Sequence, residues 1–187
     1  MKTLILVGLG NTILSDDGVG VVVVEEVARG TVPSFVQVVP AGADPWMVWE
    51  VLDGGCRGPR ARDIRWLVVD AVLGGEPPGS IYRIPLVDLQ PEPASVYSLH
   101  DHRFAHLLGM KEIFGYRPEG LLLGVEPAVL EFGTTLSRPV RRAIPKLLDL
   151  VHQEFYRLTG EGWLQPGGLV HRGCGNRTQK RSKGHEG

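Results

Sequence analysis

A chain of 187 residues with 43% hydrophobic and 22% charged side chains is sized for one globular domain with a substantial core. Its formal net charge of -1 excludes a general electrostatic case for nucleic acid or membrane binding, and no apolar run approaches the ~20 residues of a membrane helix. Two cysteines, Cys56 and Cys174, make no disulfide framework, which fits a reducing cytoplasm.

The first apolar run, residues 4–7, is short enough for a buried strand and too short for a signal peptide. It leads into GLGNTILSDDGVG, residues 8–20, around which the chain is organised. Gly8 and Gly10 allow a sharp turn with close backbone approach. Ser15 stands where a helix N-cap belongs, with Asp16 and Asp17 in the first turn. The valines at 21–24 favour a strand by propensity. Acids open the segment, however, Val19, Val23 and Val27 repeat at four-residue spacing, and Gly30 closes it, so residues 19–29 are read as helix. A second strand follows at 36–39. Asp44 and Pro45 open a short helix to about residue 52, and GGCRGPRAR at 54–62 is a surface loop.

Residues 66–69 form a wholly apolar third strand that ends in Asp70. The Gly/Pro turn at 74–79 is too short for a crossover helix, so the fourth strand, 80–84, is expected beside the third and antiparallel to it. After a Pro-rich loop, Ser98 caps a helix to about residue 114. The fifth strand, 121–125, runs into Glu126, and Ser137 caps a last helix, 138–158, that Pro145 should kink. The domain therefore spans residues 1–159. Residues 160–187 are rich in glycine and carry a net charge of +3 against -4 for the rest, and they read as a disordered tail. The alternation predicts an α/β three-layer sandwich. Its five-stranded sheet is mostly parallel with one antiparallel strand, and helices cover both faces.

Three side chains occupy equivalent places. Asp17 follows the first strand, Asp70 ends the third, and His100 opens a helix. Ligands bind at the carboxyl edge of open α/β sheets. Two carboxylates and an imidazole suit a divalent metal of intermediate softness, nickel or zinc. The plainer alternatives are acids that complement a helix dipole, an Asp70 that caps a turn, and a satisfied core histidine. At about 100° per residue, Phe104, Leu107 and Leu108 fall within ~80° of His100, whereas His102 and His106 lie on the opposite side and read as solvated. Glu126 is a further candidate, to orient a ligand, bind substrate or cap the next turn. His171, Cys174 and His185 match no zinc-module spacing. A dinucleotide fingerprint fails because its third glycine would be Ile13.

GLGNTILSDDGVG, the strand ending in Asp70-Ala71, Ser98-Leu99-His100, and Gly124-Val125-Glu126-Pro127 followed by Leu136-Ser137 resemble the [NiFe]-hydrogenase maturation endopeptidases, in that family's order and over residues 1–158. The resemblance implies a five-stranded sheet flanked by helices and removal of a C-terminal extension from a hydrogenase large-subunit precursor once nickel is inserted. It implies that Asp17, Asp70 and His100 form the metal site. The family's Gly-Gly-Thr turn after the second strand is here Ala41-Gly42-Ala43-Asp44, so Gly42 matches as a substrate-facing residue while the threonine is lost. The opening GLGN also resembles peptidyl-tRNA hydrolases, but the Pro-Gly and the early histidine of that pattern are missing.

The chemistry implied is hydrolysis of one peptide bond by water, since no serine or cysteine sits in a nucleophile-and-base setting. Asp17 or Asp16 is the expected general base. Nickel is expected to arrive on the substrate's cysteines, with no organic cofactor. The protease is expected to be a cytoplasmic monomer that binds neither nucleic acid nor membrane. The rival from another class is a non-catalytic nickel-sensing or docking chaperone that uses the same triad.

Overall fold

TLILVGL is apolar on both faces, as a strand covered from both sides must be, and it is the second strand of the sheet in the computed structural model. That model describes residues 3–44, 64–88, 97–98 and 119–159. Its strands are β1 (Thr3–Leu9), β2 (Val36–Gly42), β3 (Ile64–Leu73), β4 (Ile81–Pro85), β5 (Tyr97–Ser98) and β6 (Glu119–Val125). Its α-helices are α1 (Val19–Arg29) and α2 (Arg138–Thr159). The main sheet runs β2-β1-β3-β6-β4. β2, β1, β3 and β6 are parallel, and β4 is antiparallel to β6. The expected five strands with one antiparallel are therefore present. The two-residue β5 is added to the end of β3, with Ser98 opposite Val72.

One expectation needs correction. β4 is antiparallel, but it pairs with β6 and not with β3. A connection of seven residues excludes a crossover helix, yet at about 3.3 Å per residue it reaches past one intervening strand, about 10 Å away. Loop length restricted the direction of β4 without choosing its neighbour.

Alternation sorts the core into two layers. Leu4 and Leu6 of β1, Leu67 and Val69 of β3, and Leu123 of β6 face α1 and α2. Ile5, Val7, Trp66, Val68 and Leu122 point to the opposite face, where Leu86 joins them. Both described helices lie on the first face. The segments read as helices at 45–52 and, after Ser98, at 99–114, the loop at 54–62 and the tail at 160–187 lie outside the described residues. The stripe Val19, Val23 and Val27 of α1 is buried as its spacing required. α2 runs on through Pro145, which is exposed together with Arg141, whose carbonyl its ring deprives of a donor. Among the described residues no helix is long and apolar enough to cross a membrane.

α1 crosses the sheet at very short range. A Cβ on Gly20 would stand 2.1 Å from the Val69 carbonyl oxygen and 2.3 Å from that of Leu9. A Cβ on Gly8 would meet the Gly20 carbonyl oxygen at 2.4 Å. This contact seats the start of α1 against the ends of β1 and β3, and only a residue without a side chain permits it. Gly20→Ala should therefore lower the thermal midpoint by several degrees, a loss of about 1–3 kcal/mol for overpacking that exceeds the roughly 1 kcal/mol gained in helix propensity. A midpoint at or above the parent's would show that the helix can shift without penalty.

Candidate functional site

The carboxyl ends of β1, β2 and β3 form one ledge. β1 stops at Leu9, where its pairing with β2 shifts register and sets Leu9 opposite Gly42. The chain then turns at Gly10, with φ +123, and the Gly10 N–H donates to the Gly42 carbonyl at 2.9 Å. Gly42 itself has φ +61, a left-handed conformation that suits glycine. A Cβ on Gly10 would stand 1.8 Å from the Asp17 carbonyl oxygen. The turn that carries Asp17 is thus folded back onto the end of β1.

Asp17 is buried there, and its Oδ2 accepts the Asn11 N–H at 2.7 Å. The turn containing it, Ser15–Gly18, is a single 3-10 turn that packs against β3 as well as α1. The residue after Val69 is Asp70, fully buried, with Oδ1 accepting the Ala71 N–H at 2.8 Å. Asp70 shares the parity of Trp66, Val68 and Val72 and so belongs to the sheet face opposite α1. Asp17 and Asp70 therefore sit at the carboxyl ends of neighbouring strands, each with one oxygen oriented by a backbone N–H. Anionic oxygens oriented in this way suit a hard or borderline cation. Among the described residues no three His, Cys, Asp or Glu side chains cluster within metal-binding range. The expected third ligand, His100, lies outside the described residues, as do His102 and His106. β5 ends two residues before His100, paired with the end of β3 just past Asp70.

Asp16 has a different setting. It is 0% exposed, and its carboxylate takes three backbone N–H donors: Ala128 at 2.8 Å and Val129 at 2.9 Å on Oδ2, and Ser137 at 2.6 Å on Oδ1. It ties the start of α1 to the segment after β6 and to the start of α2. Reciprocal backbone bonds strengthen the tie: Ser15 N–H to the Gly133 carbonyl, Gly133 N–H to the Ile13 carbonyl, and Asp16 N–H to the Val129 carbonyl. Ser15 is not the helix cap its position suggested. It has φ +54, its Oγ donates to the Glu131 carbonyl at 2.9 Å, and α1 begins at Gly18 with no side-chain cap. The long-range contact to Glu131 takes the hydroxyl from the local N–H groups. The two bonded loops carry exposed Ile13, Val129, Leu130 and Phe132, the last 88% exposed, as an apolar lip beside the acids. Sequence reasoning missed this lip, and no local signal marks it.

Glu126 is buried and also engaged. Its Oε2 accepts the Gly74 N–H at 2.8 Å and the Tyr82 hydroxyl. Burial pushes its pKa up, but the Tyr82 hydroxyl and the N–H groups of Gly74, Gly75 and Glu76 outweigh that and hold it below the ordinary 4.5. The Tyr82 hydroxyl is pushed up, first by burial and then by its bond to the Glu126 carboxylate. Glu126 caps a turn, but not the next one in the chain as expected: it holds the turn between β3 and β4, 52 residues upstream. Tyr82 as its partner was not anticipated.

Comparison with known proteins bears on this arrangement. A family model described as hydrogenase maturation protease (HycI) matches residues 21–154, a span that includes Asp70, His100 and Glu126 and begins after Asp17. A hydrogenase expression/formation protein HupD of Thiocapsa roseopersicina is 33% identical over 156 residues, with 79% of this chain and 65% of that protein covered. The chain thus spans about two thirds of that relative's length. HupD of Bradyrhizobium diazoefficiens is 31% identical over 157 residues, covering 80% and 76%. The hydrogenase 3 maturation protease of Escherichia coli is 28% identical over 176 residues, covering 89% and 94%. Among solved structures, the hydrogenase maturating endopeptidase HybD from E. coli superposes with a TM-score of 0.68 at 22% identity, over 85% of this chain and 94% of that one, and so shares the fold.

Two measurements check the buried acids. Asp16→Ala leaves three partly buried N–H groups without their acceptor and should destabilise the protein by about 1–3 kcal/mol, with hydrogen exchange accelerated at the amides of 128, 129 and 137. Near-parental stability and exchange would remove Asp16 as the tie. For Glu126, a folded pKa below 4.5 means that its contribution is fully present above that value and is lost as pH falls through the folded pKa. Glu126→Gln should therefore flatten the acid side of the midpoint-versus-pH curve below about pH 4.5. An acid limb as steep as the parent's would contradict the assignment.

Proposed function

The chain belongs to the hydrogenase maturation protease family, and on that premise we propose that it is the cytoplasmic, monomeric endopeptidase that removes the C-terminal extension of a [NiFe]-hydrogenase large-subunit precursor after nickel insertion. The observation that carries the reading is the pair of buried carboxylates, Asp17 and Asp70, at the carboxyl ends of adjacent strands with their side chains oriented by backbone N–H groups. The family resemblance of Ser98-Leu99-His100 adds the imidazole of His100 to them.

In this reading Asp17, Asp70 and His100 engage nickel that the precursor presents on its own cysteines, and the metal supplies Lewis acidity at the scissile carbonyl together with orientation. Asp17 is the general base of choice. Asp16 has its oxygens committed to three N–H groups that tie distant loops together, which argues for a structural role, whereas Asp17 is held by the Asn11 N–H at the end of β1. Asp17 takes a proton from the attacking water as the water oxygen bonds to the carbonyl carbon. The carbon–nitrogen bond then breaks, and that proton passes to the departing amine. Ser15 is unsuited to attack, because its hydroxyl is buried and bonded to the Glu131 carbonyl. Gly42 and the turn it closes line the same ledge, which supports their facing the substrate.

Asp17→Asn and Asp70→Asn should each lower precursor processing about 100- to 10,000-fold while circular dichroism shows the parental fold, and His100→Ala should do the same. Processing is followed as the loss of C-terminal mass from the precursor. Cleavage should require nickel-loaded precursor even after the protease is stripped with a chelator that is then removed. If recharging the protease alone restores cutting of nickel-free precursor, the metal is a resident catalytic centre. Nickel-dependent binding of precursor without any cleavage would favour the docking chaperone.

A further inference from the structure

The domain up to residue 159 carries a net negative charge, yet one stripe of its surface is strongly basic. Arg138, Arg142 and Lys146 stand at four-residue spacing on the same side of α2, all exposed. They line a groove between α2 and β4 that Arg83 borders from the strand side, with Ile81 and Leu150 among its apolar lining. Among the described residues that line it, none is acidic and none is aromatic. Arg83 is paired with Glu154 at 3.1 Å. Among the described residues, Arg138, Arg142 and Lys146 form no ion pair.

This arrangement is unfavourable for the isolated domain. Like charges at four-residue spacing repel. The first turn of α2 holds no acid, and Arg138 and Arg141 sit at its positive end. β4 is also an edge strand, with β6 as its described partner on one side. A local arrangement that works against stability needs a compensating partner.

The geometry points to this groove as a docking site for an acidic, extended segment of the precursor, outside the cleavage site. This inference rests on the processing reading above. The groove is continuous with the ledge of acids, because Arg138 follows Ser137, whose N–H is held by Asp16. From Arg138 to Gln153 the helix runs about 22 Å, the length of about six or seven extended residues. The alternation of cations with apolar lining suits a peptide with acidic and aliphatic side chains. The lack of aromatic side chains among the described lining residues argues against single-stranded nucleic acid, which binds by stacking. Residues 160–187 of this chain are net basic and are the wrong charge to fill it.

The test uses the full chain and a fluorescein-labelled peptide of ten glutamates, followed by anisotropy. The parent should bind it, more weakly as salt rises from about 50 to about 500 mM. Arg142→Glu/Lys146→Glu, and the milder Arg142→Gln/Lys146→Gln, should weaken it at least about tenfold. With nickel-loaded precursor the same variants should raise KM by a similar factor and leave kcat near the parent's. The docking site is overturned if the parent does not bind the peptide, if the variants bind it as the parent does, or if KM is unchanged. Tighter binding of a ten-residue oligothymidine than of the peptide at equal salt also overturns it. If the parent cleaves no precursor, the processing reading fails, and the groove is then judged on peptide binding alone.

Discussion

A carboxyl group removed from water must have its oxygens hydrogen-bonded, and Asp16 meets that need with the backbone N–H groups of residues 128, 129 and 137. Most of the upper edge of the molecule follows from this one constraint. The segment after β6 is drawn across to the start of α1, α2 begins where Ser137 is held, and the turn bearing Asp17 is placed against the end of β1. Adjacent acids in one short motif thus take separate tasks. The first organises the loops, and the second is left at the ledge.

Glycine makes the ledge physically possible. Gly20 allows the helix to approach the Val69 and Leu9 carbonyls, and Gly10 allows the chain to reverse directly under Asp17. Side chains at either place would lift α1 off the sheet and move Asp17 away from Asp70. Under the proposed role of Asp17 and Asp70, errors of about 1 Å in such placement would carry large losses in rate. The glycine contacts therefore bear on activity as well as stability.

Electrostatically the upper edge is divided. Buried acids gather at the ends of β1 and β3, Glu126 closes the turn before β4, and a cationic groove leads away along α2. A precursor that brings a metal cation and an acidic segment would meet each where the opposite charge waits. The Asp16–Ser137 bond joins the two regions, so the loops that hold the acids also hold the upper end of the groove.

Much of this was legible in the residues. Val19, Val23 and Val27 against the competing valine run, the apolar run leading to Asp70, and Gly30 as a stop gave the α/β alternation, because periodicity and glycine chemistry are local, although β3 continues three residues past Asp70 to Leu73. The partner of β4 was not legible, since a short loop limits direction but not how many strands it passes. Ser15 was misread as a cap because its competing acceptor, the Glu131 carbonyl, is 116 residues away. The separate roles of Asp16 and Asp17, the Tyr82–Glu126 bond and the apolar lip share that cause: each depends on contacts between segments distant in the chain. Sequence by itself determined most of the described elements and the acids that lie near the carboxyl ends of β1 and β3, through local spacing. Tertiary structure alone decided which carboxylate is saturated by donors and which stands at the ledge, because hydrogen-bond partners are assigned only when distant backbone is brought together.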